Sequence, residues 1–262
     1  MGISIAVTMF KSTPKKTPIG GPAFYAEPSF LKRPAFRDWW TLLHPPYTLM
    51  NLSLVVIGSC LRGPVNAVRL TFSVVAFFLA VGVGAHALDE LHGRPLSTTI
   101  PTWQLVTASS LGVGGAVILG IVGLFIVSAY LAIFIVVGVV IALSYNLELF
   151  QGRLHTGIVL TLGWGAFPVL TAYFAQHANL SISVVLASAF AALVTQVQRK
   201  LSSPARDIRR RTASIEGIQV LLNGETRPIT SESILAPLES SLRALCLSTM
   251  ALALAFLFLR FL

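Results

Sequence analysis

GVGAHALDELHGRPL, residues 82–96, ends a long apolar segment on a run of ionisable side chains. His86, Asp89, Glu90 and Gly93 recur at i, i+3, i+4 and i+7, so a helix continuing this far sets them on one face. Asp, Glu and His are costly in hydrocarbon, and at the end of a membrane helix they mark a functional site unless they only cap it at the interface. The stretch therefore predicts a helix long enough to cross a bilayer with a polar end at the boundary.

The surrounding chain agrees with that setting. It is 55% hydrophobic and only 11% charged, with a mean hydropathy of +0.78, far above what one soluble domain needs. A spanning helix takes about 20 mostly apolar residues. Seven such segments are predicted, near Tyr47 to Leu61, Leu70 to Leu88, Leu105 to Val122, Phe125 to Leu147, Ile158 to Phe174, Leu180 to Gln198 and Leu238 to Leu262. The apolar block from Gln104 to Phe150 is too long for one crossing and is divided near Gly123, where glycine permits a turn; a single longer, tilted helix is the alternative. The expected fold is an all-α integral membrane protein, a bundle of about seven helices over residues 41–262, preceded by a flexible basic arm over residues 1–40. Trp39, Trp40 and Tyr47 suit the headgroup zone at the membrane entry. Cys60 and Cys246 lie in apolar spans, with no spacing that suggests a disulfide or metal site.

Charge placement orients the bundle. Of the 19 Lys and Arg, six precede the first span and seven lie between the sixth and seventh. Arg94, Arg153 and Arg243 fall on that same side, and only Arg62, Arg69 and Arg260 fall opposite. The positive-inside rule then puts the N-terminus, the 89–104 and 148–157 loops and a basic 199–237 loop in the cytoplasm, as expected for a prokaryotic cytoplasmic membrane protein. The net charge of +9 is read as topology and attraction to anionic lipid. No soluble basic domain carries it, so no nucleic-acid partner is expected.

Three even-numbered spans end in polar groups on that side. After the second, His86, Asp89 and Glu90 are candidate ligands for Mg²⁺, which prefers carboxylate and substrate phosphate oxygens; Arg94 follows as a candidate anion contact. After the fourth come Tyr145, Asn146 and Glu148, then QGRLHTG with Arg153 and His155. After the sixth come Thr195, Gln196, Gln198, Arg199 and Lys200. Together they predict a pocket opening between helices at the cytoplasmic boundary, although each alone also fits an interfacial cap or a snorkelling side chain.

Three stretches carry a resemblance: LLHPPYTLMNLSLVVIGSCL, GAHALDELHGRPLSTTIP and ALSYNLELFQGRLHTGIVLTLGWGAFPVLTAYFA. They resemble, in turn, the opening segment and first helix, the first aspartate-rich motif, and the tyrosine-bearing helix end of the UbiA-type membrane prenyltransferase superfamily, over residues 40–215. The resemblance implies transfer of a prenyl group from an isoprenoid diphosphate to a lipophilic acceptor. In that scheme Mg²⁺ neutralises the diphosphate and an allylic cation alkylates the acceptor, with stabilisation of the departing charge as the main catalytic effect. The candidate catalytic residues are Asp89, Glu90 and Tyr145, the metal ligands Asp89, Glu90 and His86, and the substrate-binding residues Asn51, Arg94, Glu148, Arg153, Gln198, Arg199 and Lys200.

The sequence departs from that pattern. The family's first motif, N-D-x-x-D-x-x-x-D, falls on Ala85, His86, Asp89 and Gly93, so one aspartate matches. In place of a second D-x-x-x-D motif the chain reads TQVQRKLSSPARDIRRRTAS, with Asp207 its only carboxylate, and the chain has seven predicted spans where the family usually has nine. A second reading follows from these losses: a prenyltransferase-like protein that keeps a lipid or isoprenoid pocket and serves as a binding or accessory subunit beside a membrane-protein partner. The reach of Asp207 to Asp89 separates the two.

Overall fold

A computed structural model describes residues 33–262. Residues 1–32, most of the expected arm, lie outside the described residues. Helix begins earlier than expected, at α1 (Pro34–Leu43), which is joined to α2 (Pro45–Cys60) through His44 at φ 46°, ψ 57°. Pro45 and Pro46 lack backbone N–H groups and suit the first turn of a new helix, so the chain breaks and restarts here.

Five helices are long and apolar enough to cross a membrane: Ala67–Leu91, Thr102–Ile126, Gly157–His177, Ile182–Arg211 and Ser231–Phe261. The first comprises α3 (Ala67–Phe77), a π-helical stretch (Phe78–Ala85) and α4 (His86–Leu91). Next are α5 (Thr102–Ile126) and α6 (Leu131–Asn146). Then come α7 (Gly157–Thr161), a second π-helical stretch (Leu162–Ala166) and α8 (Phe167–His177), followed by α9 (Ile182–Arg211) and α10 (Ser231–Phe261). Side-chain caps fix several starts, with Asn66, Thr156 and Ser181 each accepting a backbone N–H, and Thr230 forming a capping box with Ser233. The seven predicted apolar segments each fall on one of these helical runs, but α2 and α6 have 16 residues each. At 1.5 Å per residue that is about 24 Å, short of the ~30 Å hydrocarbon core.

The α5–α6 break lies at Val127–Tyr130, not at Gly123. Gly123 stays helical because its missing Cβ admits the Leu131 side chain, 3.1 Å from where a Cβ would sit. Close backbone approach also explains the two π-helical stretches. Each contains Gly-x-Gly-Ala, at 82–85 and 163–166, and each packs through its second glycine on the next long helix. A Cβ on Gly165 would lie 2.7 Å from the Ala191 carbonyl oxygen, and one on Gly112 of α5 would lie 2.7 Å from the Gly84 nitrogen. The main core joins α2, α8, α9 and α10 through Leu54, Ile57, Val169, Tyr173, Val184, Ala191 and Ala253.

About half of the expected basic loop at 199–237 is helix. Helix α9 runs on to Arg211 despite Pro204, and a β-hairpin, β1 (Gly217–Val220) paired antiparallel with β2 (Thr226–Ile229), precedes α10. The fold is therefore mostly helical, not wholly so. Ala205, Ile208, Leu235 and Leu238 form a small core there, and Arg209 pairs with Glu239 across the two helices. Tertiary packing of this kind overrides the cost of an internal proline.

Candidate functional site

Helix direction brings the ends of α4, α6 and α9 and the start of α7 to one end of the bundle. Their polar residues assemble as the spacing predicts, but several have different partners from those expected. Glu90 is fully buried and serves its own loop: Oε1 accepts from the Thr98 backbone N–H at 2.9 Å and the Thr98 hydroxyl at 2.8 Å, and Oε2 accepts from the Leu96 N–H at 2.9 Å. Asp38 of α1 accepts from the N–H and hydroxyl of Thr99. Arg94, at φ 53°, donates to the Ile100 carbonyl at 2.6 Å and the Thr102 hydroxyl at 2.9 Å. Three side chains expected or available to meet a ligand thus hold the 92–102 loop against α1 and α5.

His86 is also committed. Its Nδ1 lies 3.1 Å from the Gly82 carbonyl oxygen, and its ring stacks on His44 with centroids 4.9 Å apart. His44 itself is half-buried, and desolvation of its ring holds its pKa down to about 3. Among the described residues no three His, Cys, Asp or Glu side chains are arranged to hold a metal ion. The expected trio of His86, Asp89 and Glu90 does not converge because one stacks and one faces the loop. A magnesium ion bound through acidic side chains does not fit the residues at this position.

Asp89 differs from its neighbour Glu90. Its carboxylate makes no hydrogen bond or ion pair among the described residues, and His155, Arg206 and Arg210 lie within electrostatic reach. Asp207 does not fold back to it; that carboxylate is exposed and lies 3.5 Å from Arg211, one turn along α9. Arg199, Arg206 and Arg210 are spaced i, i+7 and i+11 and share one face of α9. Lys200 falls on another face, the one bearing Asp207 and Arg211, so the expected Arg199–Lys200 pair is divided. The Arg199 guanidinium lies over Gly157, where a Cβ would come within 2.5 Å of Nη1. Arg210 donates to the Pro95 carbonyl at 3.2 Å, tying α9 to the 92–102 loop. Gln198 donates to Ser202 at 3.3 Å, and both lie within hydrogen-bonding reach of the Tyr47 hydroxyl.

Tyr145 stands at the centre of this end. It stacks on His155 with centroids 4.3 Å apart and meets Trp164 in a tilted ring contact at 4.8 Å, with Arg199, Arg206 and Asp89 in electrostatic reach. Glu148 sits between His92 at 3.7 Å and His155 at 3.8 Å. The loop that carries it is tightly wound, with positive φ at Glu148, Phe150 and Gln151, a costly backbone for non-glycine residues and one that clusters at functional sites. Arg153 is exposed on the same loop, apart from the α9 face. Asn51 lies deeper, donating to the Trp164 carbonyl at 2.9 Å, while its buried Oδ1 has no partner.

Trp164 also lines a cavity that the sequence did not reveal. About 170 Å³ in volume, it lies among α3, α5, α6, α8 and the two π-helical stretches, with Phe77, Val117, Phe134 and Phe167 among its walls. The lining is almost wholly apolar and reaches from Trp164 to Arg69 at the other end of the bundle. This cavity is distinct from the polar pocket expected at the helix ends, and the tilted Trp164–Tyr145 ring pair stands between the two. The signal for it was the run of small residues Ala76, Ala80, Ala116, Gly120, Gly123 and Gly138 on facing helices, which leaves volume unfilled. No family model matches this chain, and no curated protein or solved structure matches it either.

Proposed function

We propose that this chain is an integral membrane protein of prenyltransferase-like design that binds a lipid or isoprenoid chain between its helices and serves as a binding or accessory subunit, with seven membrane crossings and the basic end in the cytoplasm. The apolar cavity carries the reading: its walls offer hydrocarbon contact and few polar groups, the pattern of a site for an apolar ligand. A cavity of about 150 Å³ admits a benzene-sized guest, so this one suits a segment of a chain, with the remainder in the surrounding bilayer. The prenyl-transfer reading has one available carboxylate, Asp89, to support it; without a second acidic ligand there is little to neutralise a departing diphosphate through a metal.

Lipid mass spectrometry of the purified protein tests the proposal. A retained isoprenoid or lipid is expected, lost in Ala80→Phe or Ala116→Phe, which fill the cavity. A full complement of the same lipid in both folded variants contradicts the cavity reading. Formation of a prenylated product from a prenyl diphosphate and a quinone-type acceptor would restore the transferase reading.

A further inference from the structure

We infer that the basic end of the bundle binds a phosphate or diphosphate group directly, through the arginine face of α9 and without a divalent metal. The inference rests on the proposed lipid-binding function, because it supplies the head of a ligand whose chain lies in the cavity. Three observations carry it. Arg199 and Arg206 have no carboxylate partner within 4 Å among the described residues; Arg206 makes only a 3.4 Å contact to Ser203. They stand on one face with Arg210, whose link to Pro95 ties that face to the neighbouring loop. Gly157 leaves the space in which the Arg199 guanidinium lies.

Charge balance indicates the class of ligand. Arg199 and Arg206 stand without a carboxylate partner among the described residues, Asp89 lies within electrostatic reach of Arg206, and Glu148 is turned toward His92 and His155. The surplus at this face is positive and suits a phosphate anion. Guanidinium donors are planar and fork-shaped, so they grip phosphate oxygens with two hydrogen bonds at once. A bridging Mg²⁺ would need carboxylates that converge, and among the described residues no three His, Cys, Asp or Glu side chains do so; Glu90 already accepts three hydrogen bonds from its own loop. The tilted Tyr145–Trp164 ring contact connects this face to the cavity, so a ligand with a phosphate head and an apolar chain spans both.

Binding of farnesyl diphosphate, farnesol and inorganic pyrophosphate to the full chain in nanodiscs, in EDTA and in Mg²⁺, tests the inference. Farnesyl diphosphate is expected to bind in EDTA within about twofold of its affinity in Mg²⁺, and to lose about tenfold or more in Arg199→Gln/Arg206→Gln, equivalent to ~1.4 kcal/mol. Farnesol binding should be indifferent to that variant, and Lys200→Gln should stay within twofold on every ligand. Loss of farnesyl diphosphate binding in EDTA overturns the inference with wild-type protein alone, whatever the variants do, and so does unchanged affinity in the double variant. Pyrophosphate binding as tight as farnesyl diphosphate supports the arginine site for a free ligand and overturns the cavity reading. Farnesol binding that is lost in Ala80→Phe, with no arginine dependence for the diphosphate, keeps the cavity and removes the phosphate site.

Discussion

The two ends of the bundle use arginine in opposite ways. At the end away from the basic cluster, Arg69 donates to the Gln176 carbonyl at 2.8 Å and the Ile126 carbonyl at 2.9 Å, and Arg260 donates to those of Cys60 at 2.8 Å and Leu61 at 3.0 Å. Each guanidinium closes the carbonyl end of helices other than its own, where the last carbonyls lack intrahelical partners and the dipole favours a cation. At the other end, Arg199 and Arg206 stand on α9 without a carboxylate partner among the described residues. Charge counting treats all four alike; hydrogen bonding separates those that hold helices together from those available to a ligand. Two of the three exceptions to the charge asymmetry, Arg69 and Arg260, are thus fastenings within the fold.

The carboxylates divide similarly, and substitution there is the strongest way to break the comparison. Glu90→Ala is expected to cost about 3–5 kcal/mol, because it leaves two part-buried backbone N–H groups and a hydroxyl without an acceptor; thermal unfolding in detergent should show it as the largest loss among these variants. Asp89→Asn should unfold at the wild-type temperature. Equal effects at the two positions would show that Asp89 is also a structural carboxylate. Next in size, Arg69→Ala is expected to cost about 2–3 kcal/mol through the released carbonyls of Gln176 and Ile126, with hydrogen exchange rising first at the α5 and α8 C-termini.

A smaller effect comes from acid. His44 is held neutral in the fold, with its pKa lowered from 6.5 to about 3 by burial. The unfolded chain therefore binds the extra proton first as pH falls below 6.5, and stability drops between pH 6.5 and 3. By pH 5 the loss is about 2 kcal/mol at most. The slope of unfolding temperature against pH in this window should flatten in His44→Asn, since Asn tolerates the left-handed backbone. An unchanged slope would assign the acid response to other groups. Smallest of all, Lys200→Gln is expected to shift stability by less than about 0.5 kcal/mol, as surface substitutions without a defined partner do.

How much of this was visible in the sequence depended on which force decided each element. The apolar segments were legible because length and hydropathy alone mark them, and each falls on a helical run. The extension of α9 to Arg211 was not, since Pro204 and a run of arginines read as loop. The i, i+3 pairs Ala205/Ile208 and Leu235/Leu238 were the available signal, and they matter only once the two helices meet. At the site, spacing placed His86, Asp89 and Glu90 on one helix face. It could not foresee that Thr98 and Leu96 would claim both oxygens of Glu90, because that contact depends on how the 92–102 loop folds back. The arginine face of α9 is present as i, i+7 and i+11 spacing, but that spacing has meaning only once the segment is known to be helical.

The difference between the two ends is most directly measured by comparing Arg69→Gln with Arg199→Gln/Arg206→Gln in one preparation, recording both unfolding temperature and farnesyl diphosphate affinity in EDTA. Arg69→Gln is expected to lower the unfolding temperature and leave affinity per folded molecule within twofold. The double variant is expected to keep the wild-type temperature and lose at least about tenfold in affinity. The reverse pattern, with binding lost at Arg69 and stability lost at Arg199 and Arg206, would contradict the account.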